Sequence, residues 1–254
     1  MLKKRLIANV VVKDDKVIQS IGYKKYLPIG SLESIVANLD RWEADEILIT
    51  SIDRTVRNLG PNFELLKKLK KINLNTPIIY SGGVNSLVNA KKAIEAGADR
   101  IVIETLVETN LKEIEKISEI IGSQSLILSI PLVIKKNKNN ILNYYDYKKL
   151  IIRQIPINFL DAIRKNFFSE ILIIDPIHQG SQNMFDTKIL KLFKTNSNLI
   201  IYGGISSRNV KKNLIKDNRI KAIAYGNLLN YAEHNIQKIK KDLNKLFRSP
   251  QYKN

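Results

Sequence analysis

The chain has no cysteine. That absence excludes a disulfide-stapled secreted fold and a metal site built on thiolates, and it makes the cytoplasm the expected location. Histidine is nearly as scarce, with His178 and His234 the whole supply, so no metal site and no cofactor is expected. No apolar run is longer than a strand, which leaves nothing to span a membrane. No GxGxxG follows the first apolar run, which argues against a dinucleotide fold. Acidic residues are outnumbered, 24 Asp plus Glu against 42 Lys plus Arg, for a formal charge of +18. A balance this basic can mark a nucleic-acid partner. Here the lysines are spread over amphipathic segments such as "LLKKLKK" and "IQKIKKDLNKLF". They read as solvated helix faces, and neither nucleic acid nor membrane is an expected partner. The opening "MLKKRLIANVVV" is basic and then apolar, but it stops at Lys13-Asp14-Asp15 with no small-residue cleavage site, so it is not read as a signal peptide.

What is present is a rhythm. Short apolar runs ("RLIANVVV", "EILITSI", "PIIYSGG", "RIVIETL", "SLILSIP", "EILIIDP", "NLIIYGG", "KAIAYGN") alternate with amphipathic stretches such as Glu64 to Lys71, Leu87 to Ala96 and Asn110 to Ile121. Runs that are apolar on both faces suit parallel strands inside a helical shell. Their number and spacing predict an α/β fold, a closed (β/α)8 TIM barrel, with residues 1–254 forming one domain. Two segments break the rhythm. Residues 18–30 are expected to be a long loop after the first strand. Residues 135–149 are expected to form a small hairpin over the barrel mouth. The terminal "FRSPQYKN" is expected to fray. The halves echo each other: "EILITSID" from Glu46 returns as "EILIIDPI" from Glu170, and "IIYSGGV" from Ile78 as "IIYGGIS" from Ile200. The barrel is therefore read as two similar half-barrels.

Barrel active sites lie at the C-terminal strand ends. There the sequence offers Ser81, Gly82 and Gly83 with Thr105 in the first half, and Gly203, Gly204 and Ser206 with Gly226 in the second. Glycine backbone approaches an anion closely, so both sets are candidate phosphate sites. The second is expected to be the stronger. Ser207 and a helix from Arg208 follow it, whereas Glu104 stands beside the first and would repel an anion. At the opposite end, Arg5, Glu46, Arg100 and Glu170 each open a strand, and the four charges are expected to close into a compensated ring. Such pairs barely repay their desolvation, so a ring there points to a gate or a docking surface.

"MLKKRLIANVVVKDDKVIQ", "GADRIVIET", "EIIGSQSLILSI" and the paired glycine turns together resemble the cyclase subunit of imidazole glycerol phosphate synthase, from Met1 to about Phe247. "SIGYKKYLPIG" and "DRWEADEILITSID" are more specifically similar to a branch linked to amidation of surface-polysaccharide sugars. The resemblance implies a glutaminase partner at the barrel bottom, with ammonia entering past Arg5, Glu46, Arg100 and Glu170 and travelling the axis. It also implies a catalytic aspartate in the first strand and another in the fifth. This sequence has Val11 and Pro131 at those positions. Neither side chain can move a proton, so the histidine-pathway cyclisation is expected to be lost. Asp53, near Arg54 and Arg57, and Asp175, near His178, are the remaining candidate acids, although capping would equally explain them.

The expected function is thus an ammonia-accepting subunit that works with a glutaminase, and with a sugar amidotransferase, on a phosphorylated ligand in polysaccharide or nonulosonate sugar amidation. The alternative is the cyclase subunit in histidine biosynthesis. A basic non-enzymatic scaffold is a further alternative, supported only by Lys interleaved with aromatics in "GYKKY" and "NYYDYKK".

Overall fold

The computed structural model describes residues 3–135, 140–181, 185–206, 210, 214, 216–230 and 234–248. Eight strands close a parallel barrel: β1 (Arg5–Lys13), β4 (Glu46–Ser51), β5 (Ile78–Ser81), β6 (Arg100–Ile103), β7 (Leu126–Lys135), β10 (Glu170–Ile174), β11 (Asn198–Tyr202) and β12 (Ile220–Tyr225). Each pairs in parallel with the next, and β12 returns to β1. The double-sided apolar pattern has its reason here. In β1, Leu6, Ala8 and Val10 face the helical layer, while Ile7 turns inward to Leu48, Ile79, Val102 and Leu172. Ile7 is fully buried, which is worth roughly 1.5–3 kcal/mol for a side chain of this size.

The helices lie close to where the periodicity puts them, at Phe63–Ile72, Leu87–Glu95 and Leu111–Ile121. Each has a side-chain cap. Asn62 accepts from the Leu65 N–H, Ser86 from Asn89 and Asn110 from Glu113, satisfying a donor that the first turn would leave free. Asn62 also donates its own N–H to the Tyr80 hydroxyl at 2.7 Å, tying that helix start to β5. Among the described residues no helix is long and apolar enough to cross a membrane.

Residues 18–30 differ from the expected loop. They lie within a hairpin, β2 (Lys16–Ile21) and β3 (Lys25–Gly30), that extends antiparallel from the end of β1. The segment 135–149 does form the expected hairpin. The upper part of β7 pairs with β8 (Ile141–Asp146), and β8 with β9 (Ile151–Arg153). The expected fraying fails at Phe247, which is buried and bridges Lys4. Residues 249–254 of that tail lie outside the described residues.

The half-barrel echo has a packing basis. Gly82 (φ +138°) and Gly203 (φ +109°) occupy matched positions. A Cβ on Gly82 would lie 2.5 Å from the Ser51 carbonyl oxygen, and one on Gly203 would lie 2.3 Å from that of Asp175. Each half thus needs a glycine where a turn presses against the end of the preceding strand.

Candidate functional site

The floor of the barrel is a closed circuit of charge. Arg5 Nε donates to Glu46 at 2.9 Å, and its Nη2 reaches Glu170 at 2.7 Å. Arg100 Nη1 lies 2.7 Å from Glu170 and 3.2 Å from Glu46. The Arg100 Nη2 donates further to the Ser169 hydroxyl at 2.9 Å. Burial disfavours the Arg5 charge, but hydrogen bonds and attraction to Glu170 and Glu46 outweigh it and raise its pKa. Both carboxylates therefore face two guanidinium groups at the place where the barrel axis meets the bottom face. Strand register produces this, because all four residues begin their strands: Ile7 pairs with Glu46, Ile79 with Arg100, and Ile127 with Glu170.

Above the floor the interior is aliphatic, with Ile7, Leu48, Ile79, Val102, Ile127 and Leu172 among the buried side chains. Polar groups return near the C-terminal strand ends, where Thr50 donates to Asn9 at 2.7 Å. The mouth then opens into a cavity of about 590 Å³, lined by the ends of β4, β5, β6 and β7 and roofed by both hairpins. Lys13, Lys24, Arg57 and Lys148 line it, with Asp53 and Glu104 as its carboxylates. Its volume falls in the range of small-molecule sites.

Glu104 is the group that sequence reasoning undervalued. It directly follows β6, deep in the mouth. One oxygen accepts from Ser129 and the other from the Tyr144 hydroxyl, both at 2.9 Å. Burial pushes its pKa up to about 7. The two hydrogen bonds oppose that rise, while the negative charges of Asp146 and Glu108 add to it. A carboxyl group poised there can both give and take a proton near neutral pH. It is also not the full anion that the sequence reading set against a phosphate at Ser81 to Gly83.

The acids singled out from sequence are held differently. Asp53 lines the cavity, accepts from the Asp14 N–H at 3.1 Å and lies 3.7 Å from Arg57. Arg54 is not its partner, because that guanidinium donates to the carbonyls of Leu59, Gly60 and Pro61. Asp175 is buried and off the cavity. It takes the N–H groups of Ile177, His178 and Asp186 and faces His178 Nδ1 at 2.6 Å. That is the bonding of a loop organiser. Val11 and Pro131 are buried side by side with Thr50 and Ile174 in register.

The two glycine sets sit in unlike surroundings. Ser81, Gly82, Gly83 and Thr105 line the cavity, whereas Gly203, Gly204, Ser206 and Gly226 do not. The β2–β3 hairpin is fastened over that second half. Buried Gln179 accepts from Ser20 Oγ at 3.3 Å, from the Tyr23 N–H at 3.2 Å and from the Gly22 N–H at 2.8 Å, and it donates to Tyr202 at 3.1 Å. Asn227 donates to the Ser20 carbonyl at 2.8 Å. The open volume is thus on the half that the sequence ranked lower, because a segment read as a loop is a latched hairpin. Ser207 and the helix start near Arg208 lie outside the described residues.

The family described as "Histidine biosynthesis protein" matches residues 3–89 and 82–235. The chain belongs to that family. It is similar to a protein of Vibrio vulnificus (strain YJ016) provisionally named imidazole glycerol phosphate synthase subunit hisF2, with 28% identity over 92% of this chain and 86% of the relative. A Campylobacter jejuni protein with the same provisional name is 29% identical over 81% of this chain and 82% of its own length. The imidazole glycerol phosphate synthase subunit HisF of Natranaerobius thermophilus is 23% identical over 94% of this chain and 95% of its own.

Proposed function

We propose that residues 1–254 act as one domain, the ammonia-accepting barrel subunit of a glutamine-dependent synthase. The observation that carries this reading is the four-charge ring, which closes one end of an aliphatic interior whose other end opens beneath a ligand-sized cavity. Neutral ammonia can cross an aliphatic interior, while ammonium pays the large cost of losing its water. A ring that holds its charges in pairs has no free anion to trap ammonium, and it parts only where a partner supplies replacement contacts. A glutaminase docked on the floor is that partner. At the mouth, a phosphorylated ligand rests over Ser81, Gly82, Gly83 and Thr105 with Lys13, Arg57 and Lys148 nearby. Ammonia attacks its electrophilic carbon, and the new nitrogen sheds a proton to the Glu104 carboxylate. The same carboxyl can return a proton to a leaving oxygen.

The ligand on this reading is a sugar destined for surface polysaccharide or a nonulosonate, with a sugar amidotransferase as the third protein, all in the cytoplasm. The names of the relatives favour a second reading, the cyclase subunit of imidazole glycerol phosphate synthase. Against it stand Val11 and Pro131 and the use of Asp175 within its own loop. A pull-down with the tagged chain from native lysate tests the first reading. Recovery of a glutaminase whose activity rises in the complex supports it. A chain that recovers no glutaminase, yet converts the histidine-pathway ribonucleotide with ammonium, overturns it in favour of the second.

A further inference from the structure

Four tyrosines line the cavity, and they come from the two hairpins alone: Tyr23 and Tyr26 from the first, Tyr145 and Tyr147 from the second. All four are partly exposed. The ring centroids of Tyr23 and Tyr147 are 5.0 Å apart with planes at 72°, and those of Tyr145 and Tyr147 are 5.1 Å apart at 74°. Edge-to-face packing of this kind fixes the rings against one another. Tyr26 carries Lys13 over its face, 4.5 Å from the centroid, and its hydroxyl is engaged by the Tyr23 carbonyl. The cations Lys13, Lys24, Arg57 and Lys148 share the same cavity.

The angles decide what such a wall can hold. A flat base is gripped best between parallel faces or laid along one broad face. Neighbouring rings that stand nearly perpendicular make a stepped wall of faces, edges and phenol oxygens. A puckered, hydroxylated ring fits that wall, because its C–H face lies on one aromatic face while its equatorial hydroxyls meet the phenol oxygens of the next. The cations in the same cavity add a preference for an anionic substituent on that ring.

We propose that the mouth of this barrel binds a pyranose sugar phosphate directly, with the sugar ring on the Tyr23–Tyr147–Tyr145 wall and the phosphate toward the cavity's cations. The proposal rests on the reading of the mouth as a phosphorylated-ligand site, and adds that the chain itself recognises the sugar ring, not only the anion.

Titration calorimetry on the full chain tests it, with inorganic phosphate, N-acetylglucosamine 1-phosphate and adenosine monophosphate as probes. The expected result is that the sugar phosphate binds at least tenfold more tightly than inorganic phosphate and than the nucleotide. Tyr147→Ala is expected to remove that advantage while inorganic phosphate binds as before, and Tyr147→Phe to keep part of it. A circular-dichroism melt confirms that each variant is folded. If Tyr147→Ala does not fold, Tyr145→Ala carries the same comparison. Inorganic phosphate binding as tightly as the sugar phosphate overturns the proposal and leaves the anion site standing. Tighter binding of the nucleotide overturns it in favour of a flat ring. No binding of any probe overturns both the proposal and the phosphorylated-ligand reading.

Discussion

The Tyr144 hydroxyl donates to Glu104 across 2.9 Å, joining the second hairpin to the end of β6 at the deepest point of the mouth. A tyrosine that is itself buried fixes the carboxyl without neutralising it, and Ser129 holds the other oxygen. Glu104 is therefore positioned by two elements that are remote from it in sequence.

This geometry has a pH signature. Burial raises the Glu104 pKa from 4.5 to about 7. Below the unfolded value both states carry the proton. Between the two values the folded state holds a proton that the unfolded chain has released, so stability falls as pH rises through that window and stays low above about 7. The full span corresponds to about 3 kcal/mol at most. Thermal melts at pH 5 and pH 8 should show this decline in the wild type and a smaller one in Glu104→Gln.

Glu46→Ala should cost about 1–3 kcal/mol, because it leaves Arg5 and Arg100 sharing Glu170 alone. If the ring acts on transfer, the variant should lose glutamine-dependent turnover with a glutaminase partner and keep turnover with ammonium at high concentration. Equal loss from both nitrogen sources at unchanged melting would show a structural ring. Arg5→Ala gives a second reading of the same comparison.

With ammonium and the histidine-pathway ribonucleotide, the wild-type chain should show no cyclisation, because neither Val11 nor Pro131 can move a proton. Turnover in the ordinary enzyme range, about 1–10³ s⁻¹, would mean that another acid serves. The double variant Val11→Asp with Pro131→Asp is the informative control.

Gly203→Ala should be more damaging than an ordinary surface change. The new Cβ would meet backbone at 2.3 Å, and the φ of +109° is itself strained for alanine. A loss of more than about 1 kcal/mol in denaturant unfolding is expected, against little effect for Gly122→Ala in open space at φ +91° beyond its backbone strain.

Much of the barrel could be read from the sequence because its strands are buried on both faces, and burial of that kind leaves unbroken runs such as "EILITSI" and "EILIIDP". The β2–β3 hairpin left no such trace. Strand β3 is largely exposed and carries Pro28, so its pairing with β2 depends on the docking of the hairpin onto Gln179 and Asn227, which is tertiary information. The floor charges were legible because each opens a recognisable strand. Glu104 was visible as a residue but not as an acid with a raised pKa, because its partners Ser129 and Tyr144 lie 25 and 40 residues further along. The only trace was Ser129, facing the same mouth two residues before Pro131. Asp175 and Asp53 attracted notice through their neighbours His178 and Arg57. The structure places them in those contacts and gives Asp175 three backbone donors as well.

Strand β1 starts with Arg5 in the floor and, without a break, ends at Val11 to Lys13, which pair with the hairpin over the mouth. From Arg5 to Val11 the strand rises about 20 Å at its ordinary pitch, with no loop or turn between. Floor and roof are thus opposite ends of one stiff spar, so a push on Arg5 along the strand has no joint in which to be absorbed before it reaches the wall that carries Tyr23.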